Sequence, residues 1–297
     1  MKLPKAGDVA DLVRLPSVLS VPGDVLLGTT TSARGEHPLR IAGLTAASSC
    51  LYMAGMALND YADRDVDAKE RPKRPIPSGR LSAQFALRLA SGLSAASLGL
   101  AYTAGGRRAL EVALPLAATV WAYDLALKKT PWGPLSMAAC RSLDILMGSS
   151  LGSRKSWPAA GVVGGHTFLI TVVSRREAQG GTRELALGSL AGTAAVTAAA
   201  AKLALKGTGS KPLGRPVRQA ASALLLGAHA LSMGKAEFKA IREPSAENLQ
   251  RVVGAGVLGL MPLEAGMLAG AGGIGKAATL AAGWRFARQL SRRRAVT

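Results

Sequence analysis

Long apolar runs separated by short charged segments set the pattern of this chain. Runs rich in Ala, Gly, Leu, Val and Ser occupy about 17–32, 39–58, 82–104, 108–127, 134–152, 157–174, 184–204, 216–234 and 249–270. A shorter tenth run, 274–290, ends in basic residues. Each of the nine approaches the roughly 20 residues a helix needs to cross a bilayer. No alternating apolar–polar pattern of the kind a half-buried strand shows persists along the chain. A soluble helix would carry a polar stripe at helical spacing, and residues 190–201 (LAGTAAVTAAAA) and 252–261 (VVGAGVLGLM) carry none. The pattern predicts an all-α fold, a polytopic membrane helix bundle. It reads as one domain over 1–297, with a short basic tail over about 285–297.

Composition sharpens this picture. The 35 glycines would each cost a soluble helix about 1 kcal/mol relative to alanine, but small residues let membrane helices approach closely. The chain carries 37 Lys and Arg against 18 Asp and Glu, a net charge of +19. In a soluble protein that balance points to nucleic acid. Here charged residues are only 19% of the chain, aromatics 4%, and mean hydropathy is +0.22. The positives are dispersed over loops without stacking platforms, which excludes a nucleic-acid partner. With the N-terminal side taken as inside, that side holds Lys2, Lys5 and Arg14, the cluster between 64 and 80, Lys128 and Lys129, and Arg175 and Arg176. The other side holds fewer, among them Arg34, Arg107, Arg108 and Lys155, although 202–218 runs against the trend. The bias predicts a cytoplasmic N-terminus in the cell's inner membrane, with the side of the C-terminal tail open. Residues 1–16 lack the apolar core and cleavage site of a removable signal peptide. Cys50 and Cys140, about 90 positions apart in apolar runs, read as small buried hydrophobes.

Against that background the acids stand out. Asp60, Asp63, Asp65, Asp67 and Glu70 crowd the end of the second run. Asp60, Asp63 and Asp67 fall at i, i+3 and i+7, one face of a continuous helix. Carboxylates so placed repel unless a cation lies between them, and Mg²⁺ takes one or two such oxygens together with water and substrate phosphate. A calcium loop needs Gly at its sixth position and Glu at its twelfth. Counted from Asp63 those positions hold Ala68 and Arg74, which excludes it. The segment that follows, Lys69 to Ser82, contains Pro72, Pro75 and Pro77 and so forms a loop or linker rather than helix. Ser82 is placed to cap the next helix. An acidic metal face followed by a basic loop is the composition of a diphosphate site, where metal and cations share the phosphate charge.

The stretch Asn59-Asp60-x-x-Asp63-x-x-x-Asp67, the loop Arg74-Pro75-Ile76-Pro77-Ser78-Gly79, the pair Tyr123-x-x-x-x-Lys128 at the end of the fourth run, and Arg14-Leu15-Pro16 before the first resemble the UbiA family of intramembrane prenyltransferases. That resemblance implies about nine transmembrane helices around a central cavity, Mg²⁺, and a prenyl diphosphate donor. It assigns the metal to Asp60, Asp63 and Asp67, with Asn59 assisting. It assigns diphosphate oxygens to Lys73, Arg74 and Lys128, with a hydrogen bond from Tyr123. A second aspartate-rich motif, usual at the end of the sixth span, is missing: the place reads Ser174-Arg175-Arg176-Glu177-Ala178. With Cys140-Arg141-Ser142-Leu143-Asp144 in the fifth run, this variant resembles the EboC-like branch, whose acceptor is undefined. Arg175 and Arg176 are candidates to supply the charge of the missing motif or to contact lipid headgroups. Arg141 and Asp144 either pair with each other or line the reaction cavity. His166 faces the cavity or a backbone carbonyl, and Glu264 is an intramembrane acid with no evident partner. Two other readings stay open: a membrane transporter with buried Arg141, Asp144, His166 and Glu264 along an ion path, and a degenerate family member that binds isoprenoid lipid without turnover.

Overall fold

The computed structural model describes residues 4–30, 37–150, 154, 156–206 and 214–293. Lys2, Arg34, Lys155, Lys211 and the end of the basic tail lie outside the described residues. The order is α1 (Ala6–Leu12), a 3-10 turn (Leu15–Ser20), α2 (Pro22–Thr30), α3 (Pro38–Ala62), α4 (Arg64–Glu70), α5 (Ala83–Gly105) and α6 (Arg107–Ala122). A π turn (Tyr123–Leu127) extends α6, and α7 (Gly133–Ser149), α8 (Ser156–Ser174), α9 (Arg183–Leu205), α10 (Arg215–Arg242), α11 (Ala246–Gly270) and α12 (Ile274–Arg293) follow. Among the described residues there is no strand.

Among the described residues six helices are long and apolar enough to cross a membrane: α3, α5, α6 with its π turn, α8, α9 and α11. The other three expected spans coincide with helices of a different kind. The described part of the run 17–32 is divided between the 3-10 turn and the nine-residue α2, whose first residue is Pro22. Proline lacks an N–H and fits a helix start better than a helix interior. Within the run 134–152 the described residues give the 17-residue α7 (Gly133–Ser149). The run 216–234 lies in the 28-residue α10, which carries Arg218, Lys235, Glu237, Lys239 and Arg242. Helix starts follow their caps: Ser82 Oγ accepts from Phe85 N at 3.1 Å, and Thr182 and Ser245 do the same for α9 and α11.

Small residues let α2 and α7 meet backbone to backbone. A Cβ at Gly28 of α2 would sit 2.1 Å from Ile145 O of α7, and one at Gly148 would sit 2.8 Å from Val25 O. The two backbones therefore touch, as small residues permit where the solvent supplies little drive. α11 is the most enclosed of the six apolar helices, with 72% of its apolar window buried. The end of α3, α4, the loop 71–82 and the end of α6 meet at one face of the bundle, tied by Arg14–Asp60 and Lys128–Asp63. The ends of α8 and α10 join them through Arg175–Thr130 and Gly181–Pro244 contacts.

Candidate active site

The acidic cluster sits on a helix corner, not on one helix face. α3 stops at Ala62, Asp63 leaves helical geometry (φ −95°, ψ 6°), and α4 restarts at Arg64. The break sends the three aspartates in two directions. Asp60 and Asp67, each 3% exposed, converge on one guanidinium. Arg74 Nη1 donates to Asp60 Oδ1 at 3.1 Å and to Asp67 Oδ2 at 2.6 Å. Arg14 Nη2 adds a 3.2 Å bond to Asp60 Oδ1. Asp63 turns to the other side, where its Oδ2 lies 2.7 Å from Lys128 Nζ and its Oδ1 3.8 Å from Lys129 Nζ. The expectation of three carboxylates on one face is corrected: two share a cation, and the third orients a lysine.

The proline-rich loop places Arg74. Backbone bonds Ser78 N to Arg74 O and Leu81 N to Pro75 O, both 3.0 Å, fold 71–82 into successive turns. Ile76 packs beside Leu12, Leu58 and Leu81. Arg80 clamps the loop to α1 through Asp8 at 2.7 Å and Asp11 at 3.1 Å. Its hydrogen bonds to these two carboxylates push its pKa further up. Lys73 is exposed on this loop and stands apart from the carboxylates. Arg14 adopts the left-handed region (φ 48°, ψ 52°), a conformation that costs a non-glycine residue of order 1 kcal/mol and that here accompanies its reach to Asp60.

The π turn explains the Tyr123–Lys128 pair. Five α-helical steps of about 100° would set them about 140° apart. The bond from Lys128 N to Tyr123 O at 2.9 Å closes an i to i+5 ring and brings them to one side. The same turn presents Asp124, 4% exposed, whose Oδ1 accepts from Asn59 Nδ2 at 3.0 Å and lies 4.0 Å from Lys128 Nζ. Sequence reasoning passed over Asp124, although its i, i+4 spacing to Lys128 was a usable signal.

A cavity of about 640 Å³ opens beside this cluster. Asn59, Tyr123, Asp124 and Arg14 line its mouth, and Tyr52, Met56, Val120, Met137 and Ile170 its walls. Of the predicted residues, Asn59, Tyr123 and Arg141 lie on the wall. Asp60, Asp63, Asp67, Arg74 and Lys128 do not line it: Asp60 reaches it through Arg14, and Lys128 lies 4.0 Å from Asp124 on its wall. Arg175 and Arg176 do not line the cavity: both are exposed past the end of α8, and Arg175 Nη1 donates to Thr130 O at 2.6 Å. Glu177 beside them is half-buried, and burial pushes its carboxyl up while Arg71 opposes the shift. The arginine that reaches the wall from that side is Arg251 of α11, held by Asn248 and Glu247.

Of the two readings of Arg141 and Asp144, the mutual pair does not form, and both side chains line the cavity. Arg141 Nη1 bonds to buried Asp24 of α2, and Asp144 accepts from Ser48 Oγ of α3. The i, i+3 neighbours instead reach different helices because α2 packs directly on α7. His166 satisfies both expectations: it lines the cavity, and its Nε2 lies 2.9 Å from Gly256 O. Glu264 lies against Gly23 and beside Asp24.

Whether these residues suit a metal turns on the donor set. Among the described residues no group of three or more His, Cys, Asp and Glu side chains is gathered to hold one. Asp60 and Asp67 nonetheless offer two hard oxygen donors around a single cationic nitrogen, and Mg²⁺ takes one or two carboxylates and completes its shell with water and phosphate. The set fits Mg²⁺ through Asp60 and Asp67.

The profile of the UbiA prenyltransferase family matches residues 24–175. The chain is 36% identical over 135 residues to digeranylgeranylglyceryl phosphate synthase of Methanopyrus kandleri, covering 45% of this chain and 47% of that protein. It is 36% identical over 98 residues to the bacteriochlorophyll synthase 33 kDa chain of Rhodobacter capsulatus, covering 32% of each. The matched stretches thus span half or less of these relatives. Among solved structures, a UbiA homolog from Aeropyrum pernix K1 superimposes with a TM-score of 0.63 at 20% identity, covering 85% of this chain and 96% of that one. A UbiA homolog from Archaeoglobus fulgidus bound to GPP and Mg²⁺ gives 0.60 at 17% identity, covering 88% and 99%.

Proposed function

The chain belongs to the UbiA prenyltransferase family, and on that premise we propose that it moves an isoprenoid group from a prenyl diphosphate to an acceptor inside the membrane. The observation that carries this is the convergence of Asp60 and Asp67 on one cation, joined through Arg14 to the wall of a largely apolar cavity. Asp60 and Asp67 would hold Mg²⁺, which when bound neutralises charge on the leaving diphosphate. Arg14, Arg74 and Lys128 bind diphosphate oxygens, Arg74 in the forked geometry that suits them. Tyr123 donates to one oxygen. Asp63 holds Lys128 beside Asp124, and Asn59 holds Asp124 on the cavity wall. Asp124 is the carboxylate placed to take the proton the acceptor loses. The apolar walls keep water from the allylic cation that forms when the C–O bond ionises. Arg251 supplies positive charge on the side where the second aspartate motif is missing, a role the sequence had suggested for Arg175 and Arg176. Lys73 acts from the loop surface as a longer-range attractor for the anion.

The reading extends to one domain over 1–297, to the EboC-like branch, and to an inner-membrane protein with this mouth on the cytoplasmic side. Support for the last comes from the basic loops gathered at that face. A second reading, isoprenoid binding without turnover, draws on the absence of a three-ligand metal group among the described residues. The test uses the protein in lipid vesicles with Mg²⁺, labelled prenyl diphosphates and a lipid extract as acceptor source. Diphosphate release that needs both Mg²⁺ and extract is the expected result. Tight binding with no release in any extract would favour the second reading.

A further inference from the structure

The cavity has a second polar end. Its lining on α3 runs from Asn59 at the mouth to Ser48, eleven residues and so about 16 Å of helix. Between them the wall is mostly apolar: Leu51, Gly55 and Met56 from α3, with Met137 and Ile170 opposite, and Thr167 and Thr171 of α8 with their hydroxyls donated to Val163 O and Thr167 O. At the inner end Ser48, Tyr52, Arg141, Asp144 and His166 line it together. Ser48 Oγ donates to Asp144 Oδ2. Arg141 spends Nη1 on Asp24 and rests 5.9 Å from the Tyr52 ring centre. Among the described residues Asp24 is its one hydrogen-bond partner, so the remaining donors of a guanidinium with five are available toward the cavity it lines. A hydrocarbon terminus pressed onto this end would strip water from donors and acceptors and give nothing back, a penalty of roughly ten- to a hundredfold in affinity. A hydroxyl would accept from Arg141 and donate to Asp144.

We propose that this inner end is a polar stop that determines donor specificity: it rejects plain prenyl tails long enough to reach it and takes a tail that is short or ends in a hydroxyl. The inference rests on the diphosphate reading of the mouth. Binding to the protein in lipid nanodiscs with Mg²⁺ tests it, using geranyl, farnesyl and geranylgeranyl diphosphate and the ω-hydroxylated form of each. Inorganic diphosphate titrated in parallel reports on the mouth alone. Affinity should rise with tail length and then fall at the first tail that meets the stop, and ω-hydroxylation of that tail should restore at least tenfold. In Ser48→Val/Asp144→Leu the hydroxyl preference should vanish and the favoured plain tail lengthen. This comparison within the wild-type protein stands even if the variant does not fold. Affinity that rises or stays level through geranylgeranyl diphosphate, with no gain from the hydroxyl at any length, overturns the stop while leaving the mouth intact. Failure of inorganic diphosphate and of every prenyl diphosphate to bind removes the reading beneath it, and the stop with it.

Discussion

Arg74 holds two buried carboxylates apart and together at once. Its side chain is 17% exposed while those of Asp60 and Asp67 are 3% and 4% exposed, so removing the guanidinium leaves two near-buried charges facing each other. Arg74→Ala should lower stability by about 3 kcal/mol, read as a fall in the thermal unfolding midpoint in detergent. Arg74→Lys should keep most of that stability but raise KM for the prenyl diphosphate, because a point charge replaces a fork. Asp60→Asn and Asp67→Asn should each cut kcat/KM about a hundredfold or more while the protein still inserts and folds. Asp63→Asn should act through Lys128 and show mainly in KM. Equal losses in kcat at all three aspartates would contradict the division of labour described here. The residue types of this site were legible in the sequence, because acids are scarce and these crowd together. Their grouping was not: i, i+3 and i+7 spacing assumes an unbroken helix, and the corner at Asp63 replaces that geometry with another.

Among the elements, α2 and α7 show how little room a membrane bundle leaves. At Gly148 a Cβ would meet Val25 backbone, which cannot swing aside as a side chain can, so Gly148→Ala should destabilise by about 1–3 kcal/mol. Gly92 of α5 has nothing within 4 Å of its Cβ position, and Gly92→Ala should be neutral or stabilise by up to about 1 kcal/mol through helix propensity. Thermal unfolding of the two variants side by side checks the contrast. The apolar pattern found the long helices because their hydrophobic length is a local property. It did not show that the run 17–32 splits around Ser20 and Pro22, nor that α6 ends in a π turn. Both depend on what the segment must reach: Asp24 meets Arg141, and Lys128 meets Asp63.

At the scale of the whole molecule, the net charge of +19 belongs to a membrane protein with phosphate chemistry proposed at one face. Two outcomes follow. Chelation of Mg²⁺ should abolish acceptor-dependent diphosphate release and readdition should restore it. In a Cys50→Ser/Cys140→Ser background, Lys73→Cys should react with a membrane-impermeant maleimide in inside-out vesicles and stay unlabelled in right-side-out ones. Labelling from the opposite side would reverse the orientation inferred from the loop charges.

The sequence by itself determined the all-helical membrane bundle, the family resemblance and the residues able to carry diphosphate chemistry. Hydrophobic length, small-residue content and rare clustered acids are local properties of the chain. Only the tertiary structure decided which charge meets which: Arg141 with Asp24 rather than Asp144, Arg251 rather than Arg175 at the cavity, Asp63 with Lys128 rather than with its fellow aspartates. Partner choice depends on distances between helices far apart in the chain. In a low-dielectric interior each buried charge takes the partner the packing brings within reach.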